Sequence, residues 1–84
     1  MDNISMMNSR ASGLAQKIGK SFKSGNCETD AEIILDSNRA VSVCLNGGFL
    51  VVEGLDRPIE ENVNVIPFET EQEVLNFIGA TGSN

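Results

Sequence analysis

Apolar residues recur at spacings of three and four through the opening stretch of the chain: Ile4, Met7, Ala11, Leu14, Ile18 and Phe22, with Ala15 joining them. At about 100° per residue these positions form one stripe. Arg10, Lys17 and Lys20 fall on the opposite side, which predicts a basic amphipathic helix over residues 3–23. Asp2 or Asn3 can cap its start, because a short polar side chain there accepts from the unpaired N–H groups of the first turn. Gly13 and Gly19 oppose the helix, each costing about 1 kcal/mol relative to Ala in a helix interior. Gly19 is also placed to end or bend it early. Ser24-Gly25-Asn26 stops the pattern, with Gly25 as the residue beyond the cap.

The period then shortens to two. Residues 33–35, Ile-Ile-Leu, read as a short strand, and Asp36-Ser37-Asn38 carries turn chemistry. Residues 39–45 alternate, with Val41, Val43 and Leu45 on one face and Ala40, Ser42 and Cys44 on the other. Asn46-Gly47 follows, the dipeptide best suited to a type I′ hairpin turn because both central residues need φ > 0. A two-residue turn there pairs Val43 with Leu50 and Val41 with Val52, and puts Cys44–Phe49, Ser42–Val51 and Ala40–Glu53 on the other face. The Gly47-Gly48 pair equally permits a three-residue loop, which moves the register by one.

Residues 54–61 read as a loop. Residues 62–66 form a last strand with Val63 and Val65 inward, Asn62 and Asn64 outward, and Pro67 as its stop. Thr70 with Glu73 makes a capping box, and Glu71 and Glu73 suit the positive end of a helix dipole. A C-terminal helix therefore spans residues 70–79, with Val74, Leu75, Phe77 and Ile78 as its apolar side, Gly79 as its end and residues 80–84 as a loose tail.

These elements predict one α+β domain over 84 residues: a helix within residues 1–25, an antiparallel meander of three or four strands over residues 31–66, and a second helix. Each helix has a single apolar stripe to bury, so both should cover the same face of the sheet. The other face then looks outward, carrying Ser42, Cys44, Asn62, Asn64, Phe49 and Val51. With no Trp or Tyr and only four Phe, the core must come mainly from Val, Ile, Leu and Met.

Charge changes the picture more than composition does. The net charge is −6, but residues 1–25 hold Arg10, Lys17, Lys20 and Lys23 against Asp2, a net of +3. Residues 26–84 hold Arg39 and Arg57 against eleven acids, a net of −9. A body of that sign repels nucleic acid and is drawn to basic surfaces. Cys27 and Cys44 form no Cys-x-x-Cys pair, and the start of the chain shows no apolar segment of signal-peptide type. No run approaches a membrane span. The expectation is a cytoplasmic protein with reduced thiols, touching no membrane.

Catalytic chemistry finds little to work with. There is no His, which removes the commonest general base and metal ligand. A Cys nucleophile needs a neighbouring base or cation, and Cys44 reads instead as a small packed hydrophobe in a strand. Glu28/Asp30/Glu32 lacks the glycine and the spaced final Glu of a calcium loop. Two-carboxylate catalysis needs a cleft that a single helical layer does not offer. Gly47-Gly48 is no phosphate loop, and Phe49 alone is a thin stacking platform for single-stranded nucleic acid. The sequence therefore predicts no enzyme, no cofactor, no metal and no direct nucleic-acid contact.

Protein binding remains, through acidic edges that fit a partner with a basic surface. The candidate contacts are Glu53, Asp56, Glu60 and Glu61 around the second loop, then Glu28, Asp30 and Glu32, with Phe49 on the open face. The alternative is an assembly role, in which a second copy pairs through that face or through the first helix.

Two segments carry a resemblance in layout. They are the hairpin Val41-Ser42-Val43-Cys44-Leu45-Asn46-Gly47-Gly48-Phe49-Leu50-Val51-Val52 and the segment Pro67-Phe68-Glu69-Thr70-Glu71-Gln72-Glu73-Val74-Leu75-Asn76-Phe77-Ile78. A short meander leading into a Thr-capped acidic helix resembles small phage-encoded anti-CRISPR inhibitors. That likeness implies a tiny acidic inhibitor of a nucleic-acid-handling complex. Those inhibitors share no sequence signature, so no residue role transfers. The basic first helix departs from their purely acidic members, and so argues against simple mimicry of nucleic acid.

Overall fold

The computed structural model describes residues 2–56 and 63–79. Helix α1 spans Asn3–Ile18. Asp2 caps it, its carboxylate accepting from the Ser5 N–H at 2.7 Å. Gly19 ends it in the left-handed conformation at φ 82°, its N–H donating to the Ala15 carbonyl. The helix is therefore shorter than residues 3–23. A glycine that adopts positive φ without strain closes the last turn, and the chain reverses. Phe22 keeps its predicted place against the core, but from strand β1, Phe22–Lys23, and not from a fifth helical turn.

Strands β2 (Ala31–Ile34), β3 (Arg39–Val43), β4 (Phe49–Glu53) and β5 (Asn64–Phe68) follow, then helix α2 (Glu71–Ile78). All five strands form one antiparallel sheet in chain order, one more than the longest meander expected, because β1 adds to the edge of β2. Both helices lie on one face, as their single apolar stripes require, with α1 over β1–β3 and α2 over β4 and β5. Met7, Ala11 and Leu14 from α1 meet Ile33, Val41, Val43, Phe49 and Val51 from the sheet and Val74 and Leu75 from α2. Lys17 and Glu71 form an ion pair between the helices. The β2–β3 turn is closed by Asp36, whose Oδ1 accepts from the N–H of Asn38 at 2.8 Å and of Arg39 at 2.9 Å.

The β3–β4 hairpin takes the longer loop. The Cys44 N–H donates to the Gly48 carbonyl at 2.8 Å and the Gly47 N–H to the Cys44 carbonyl at 3.1 Å, which leaves Leu45-Asn46-Gly47 as a three-residue loop. Only Gly47, at φ 108°, takes up positive φ there; a type I′ turn would need it at Asn46 as well. Val43 thus pairs with Phe49 and Val41 with Val51. The register is one residue from the two-residue reading, and every side chain of β4 changes face. Phe49, expected on the open face, is buried in the core at 4% exposure, and Val51 is fully buried. Leu50 and Val52 look outward instead.

The inversion carries into β5. Val51 pairs with Ile66 and Phe49 with Phe68, so Ile66 and Phe68 point to the core side while Val65 is half exposed. Val63 is also exposed, against the expectation that both valines face inward. Pro67 sits inside β5 and does not end it. Since Cys44 and Gly48 are a hydrogen-bonded pair, alternation directs the N–H groups of Phe49, Val51 and Glu53 toward β5 and leaves position 67 on the outer edge. A proline there sacrifices no ladder bond.

Candidate protein-binding surfaces

The connection from β1 to β2 is built around Gly25 and Asn26. The Asn8 side chain of α1 grips both sides of Gly25: its Oδ1 accepts from the Gly25 N–H at 2.7 Å and its Nδ2 donates to the Gly25 carbonyl at 3.1 Å. The Asn26 Oδ1 then accepts from the N–H groups of Glu28 and Thr29 at 2.8 and 3.0 Å. This tight turn holds Glu28 and Asp30 exposed at one end of the sheet. Glu32 stands on the face away from the helices, between its Cα partners Lys23 and Ser42. Asp30, Glu32, Lys23, Ser24, Thr29 and Ser42 line an open groove of about 490 Å³.

Antiparallel topology brings the β3–β4 loop and the β5–α2 junction to that same end. Glu69 lines a second open depression with Asn46, Gly47 and Gly48. Its neighbours are already engaged. The Glu73 carboxylate accepts from the N–H groups of Glu69 and Thr70 at 3.0 and 3.1 Å, completing the capping box, and Glu71 holds Lys17. Among the described residues, Glu28, Asp30, Glu32 and Glu69 are in no ion pair. On the helix side of this end, an Arg10 Nη donates to the Cys44 carbonyl at 3.0 Å.

The other predicted cluster lies at the opposite end. Glu53 is half-buried opposite Arg39 and Asn64, and Asp56 is exposed. Glu60 and Glu61 lie outside the described residues. Nearby, Arg39 Nε reaches Asp36 at 3.5 Å. The Asn38 N–H, aided by the N–H and guanidinium of Arg39, holds the Asp36 carboxyl below the usual range against the opposing cost of desolvation. The fold therefore places Glu53 and Asp56 at the opposite end of the strands from Glu28, Asp30 and Glu69.

The two thiols differ. Cys27 is exposed in the β1–β2 connection. Burial and the neighbouring Asp30 carboxylate push the Cys44 thiol up, opposed by Arg10. A raised thiol stays protonated and is a poor nucleophile. Iodoacetamide at about pH 8 should alkylate Cys27 roughly tenfold faster than Cys44, read by peptide mass spectrometry. Equal rates would show that the Cys44 environment is open. Among the described residues, no three His, Cys, Asp or Glu side chains gather closely enough to hold a metal ion, and no helix is long and apolar enough to cross a membrane.

A third surface escaped sequence reasoning because it follows from the hairpin register. Ile34, Ala40, Val52 and Val65 are successive cross-strand partners on the face away from the helices, forming one apolar row across β2–β5. Ile34 is 45% and Val65 50% exposed. Ala40 is buried although it lies outside the core cluster. Glu32, Ser42, Leu50 and Pro67 form the adjacent row. The signal was present in the Gly47-Gly48 pair, which allowed the odd-numbered loop.

Compared with protein-family models, curated protein sequences and solved structures, the chain matches none.

Proposed function

We propose that this protein is a small acidic protein-binding module, an inhibitor or adaptor of the anti-CRISPR type that occupies a basic surface of a nucleic-acid-handling protein. The observation that carries this reading is the set of carboxylates at one end of the sheet. Glu28, Asp30, Glu32 and Glu69 come from three separate segments, and none is neutralised by an ion pair among the described residues. The turn behind the first three is anchored to α1 by Asn8, so these charges are presented on a fixed frame. Preorganised charge raises association rate and selects against partners of like sign. The basic residues offset it only in part: Lys17 is engaged with Glu71, while Arg10, donating to the Cys44 carbonyl, and Lys23, beside Glu32, leave the four carboxylates in excess at this end. Glu53 and Asp56 form a secondary acidic rim at the far end.

The test compares immobilised wild-type protein with the variant Glu28→Lys/Asp30→Lys/Glu32→Lys in host lysate, read by mass spectrometry. The reading expects enrichment of a nucleic-acid-handling protein by the wild type. The variant should bind that protein at least tenfold more weakly, about 1.4 kcal/mol, with an unchanged circular dichroism spectrum. Wild-type binding should also weaken as salt rises, because screening acts on exposed charge. Capture that survives full reversal would remove the acidic end from the interface.

A further inference from the structure

We infer that Asn46 is a site of spontaneous covalent modification, where the Gly47 nitrogen converts the side-chain amide to a carboxylate through a succinimide ring. Asn46 is the one asparagine of the chain that is followed by glycine. The reaction needs the next backbone nitrogen to reach the asparagine Cγ, and a side chain on that next residue obstructs the approach. Asn46 is exposed, and nothing lies within 4 Å of where a Cβ on Gly47 would stand. At every other described asparagine the next residue carries a Cβ. Asn3, Asn8 and Asn76 are also fixed in helices and Asn64 in a strand.

The loop geometry supplies part of the chemistry. The Asn46 Oδ1 accepts from the Gly48 N–H at 3.2 Å. Negative charge develops on that oxygen as Cγ becomes tetrahedral, so a donor already faces the developing oxyanion. The Gly47 N–H donates to the Cys44 carbonyl at 3.1 Å and must leave that bond before attack. It closes the tip of one hairpin, so its opening is local and leaves the sheet intact. Hydroxide removes the Gly47 proton, the nitrogen bonds to Cγ, and the Cγ–Nδ2 bond breaks as ammonia leaves with a proton from water. Water then opens the five-membered ring. Opening at Cγ gives an aspartyl residue, and opening at the main-chain carbonyl gives an isoaspartyl residue. The net reaction is hydrolysis of one amide, with no redox step.

Either product alters the acidic end. A new carboxylate stands beside Glu69, which lines the same depression as Asn46, in a chain already at net −6. The isoaspartyl product also carries the main chain through the side-chain carbon. That adds a backbone atom to the Leu45-Asn46-Gly47 loop, whose length sets the register of β3 on β4. The closing bond from Cys44 to Gly48 is built for the shorter path, so the isoaspartyl form should melt below the aspartyl form. The chemistry stands apart from the proposed function; only an effect on partner binding rests on that reading.

The full chain, kept warm at about pH 8 and then digested in acid, is followed by peptide mass spectrometry beside the same chain in urea. The expected result is a gain of about 1 Da in the peptide that holds Asn46, at least tenfold faster than at any other asparagine. Ammonia should appear in step, and the rate should climb with pH because the attacking nitrogen reacts deprotonated. An isoaspartyl fraction, read by methyl transfer from protein isoaspartyl methyltransferase, identifies the ring, since direct hydrolysis gives aspartate alone. Asn46→Gln should abolish the signal, because its longer side chain closes a less favoured ring, with the circular dichroism spectrum unchanged. An Asn46 that stays intact in the folded chain while it converts in urea would overturn the inference, and would mean that the Gly47–Cys44 bond locks the loop. Conversion with no isoaspartyl product would overturn it as well.

Discussion

Truncating Ile33 to alanine should cost the domain about 3–4 kcal/mol, while the same change at its neighbour Ile34 should cost less than about 1 kcal/mol. Ile33 has no exposed surface and sits in the core cluster, paired with Phe22 on one side and Val41 on the other. Removing its outer carbons leaves a cavity that the packed helix above cannot fill, so the cavity term adds to the lost transfer energy. Ile34 is 45% exposed on the opposite face, where water replaces what truncation removes. A domain of this length holds roughly 4–12 kcal/mol of stability in total. The Ile33 variant should therefore show a population of unfolded chain, or a large drop in urea midpoint at unchanged slope. Equal losses at the two positions would mean that the assigned faces of β2 are wrong.

Gly25→Ala should destabilise by about 3 kcal/mol, lowering the melting temperature by roughly 12–24 °C. The cause is a close approach and not a special φ. A Cβ at this position would lie 2.5 Å from both the Ala31 nitrogen and the Thr29 carbonyl oxygen, and 2.6 Å from the Asp30 carbonyl carbon. All three are backbone atoms, so no rotamer change can relieve the clash. The turn must open, and with it the Asn8 clamp and the entry to β2. Asn8→Ala removes the clamp without the clash and should cost about 1–1.5 kcal/mol, by leaving the part-buried Gly25 N–H and carbonyl unpaired. Thermal melts of the two variants check the pair. A Gly25→Ala protein as stable as wild type would show that the turn is looser than these distances imply.

Both variants bear on the candidate site, because the acidic end is presented by the turn that Gly25 and Asn8 hold. The carboxylates themselves were readable as charge along the chain. Their grouping was not. Glu69 joins Glu28 and Asp30 because antiparallel strands return to the same end, whereas Glu53 and Asp56 are carried to the other. Glu73 was legible as the cap of α2, but nothing along the chain showed that Glu71 holds Lys17.

What the sequence determined by itself is local: the stripe that makes α1, the Thr70–Glu73 capping box, the Asp36 turn, and the alternation that makes β3 and β4 strands. Each depends on side chains within a few residues of one another, where spacing is geometry. The tertiary structure decided which side of each strand is inside. Strand alternation has a period of two, so one additional residue in the β3–β4 loop exchanges the faces of β4 and β5 together. Gly47-Gly48 is compatible with either loop. With the three-residue loop Phe49, Val51, Ile66 and Phe68 turn toward the helices, which lets Phe68 stack on Phe77 of α2 at 5.3 Å. That choice rests on the large apolar area an aromatic ring buries, summed over helices distant in the chain. It also decided that Val52 and Val65, rather than Phe49, face outward.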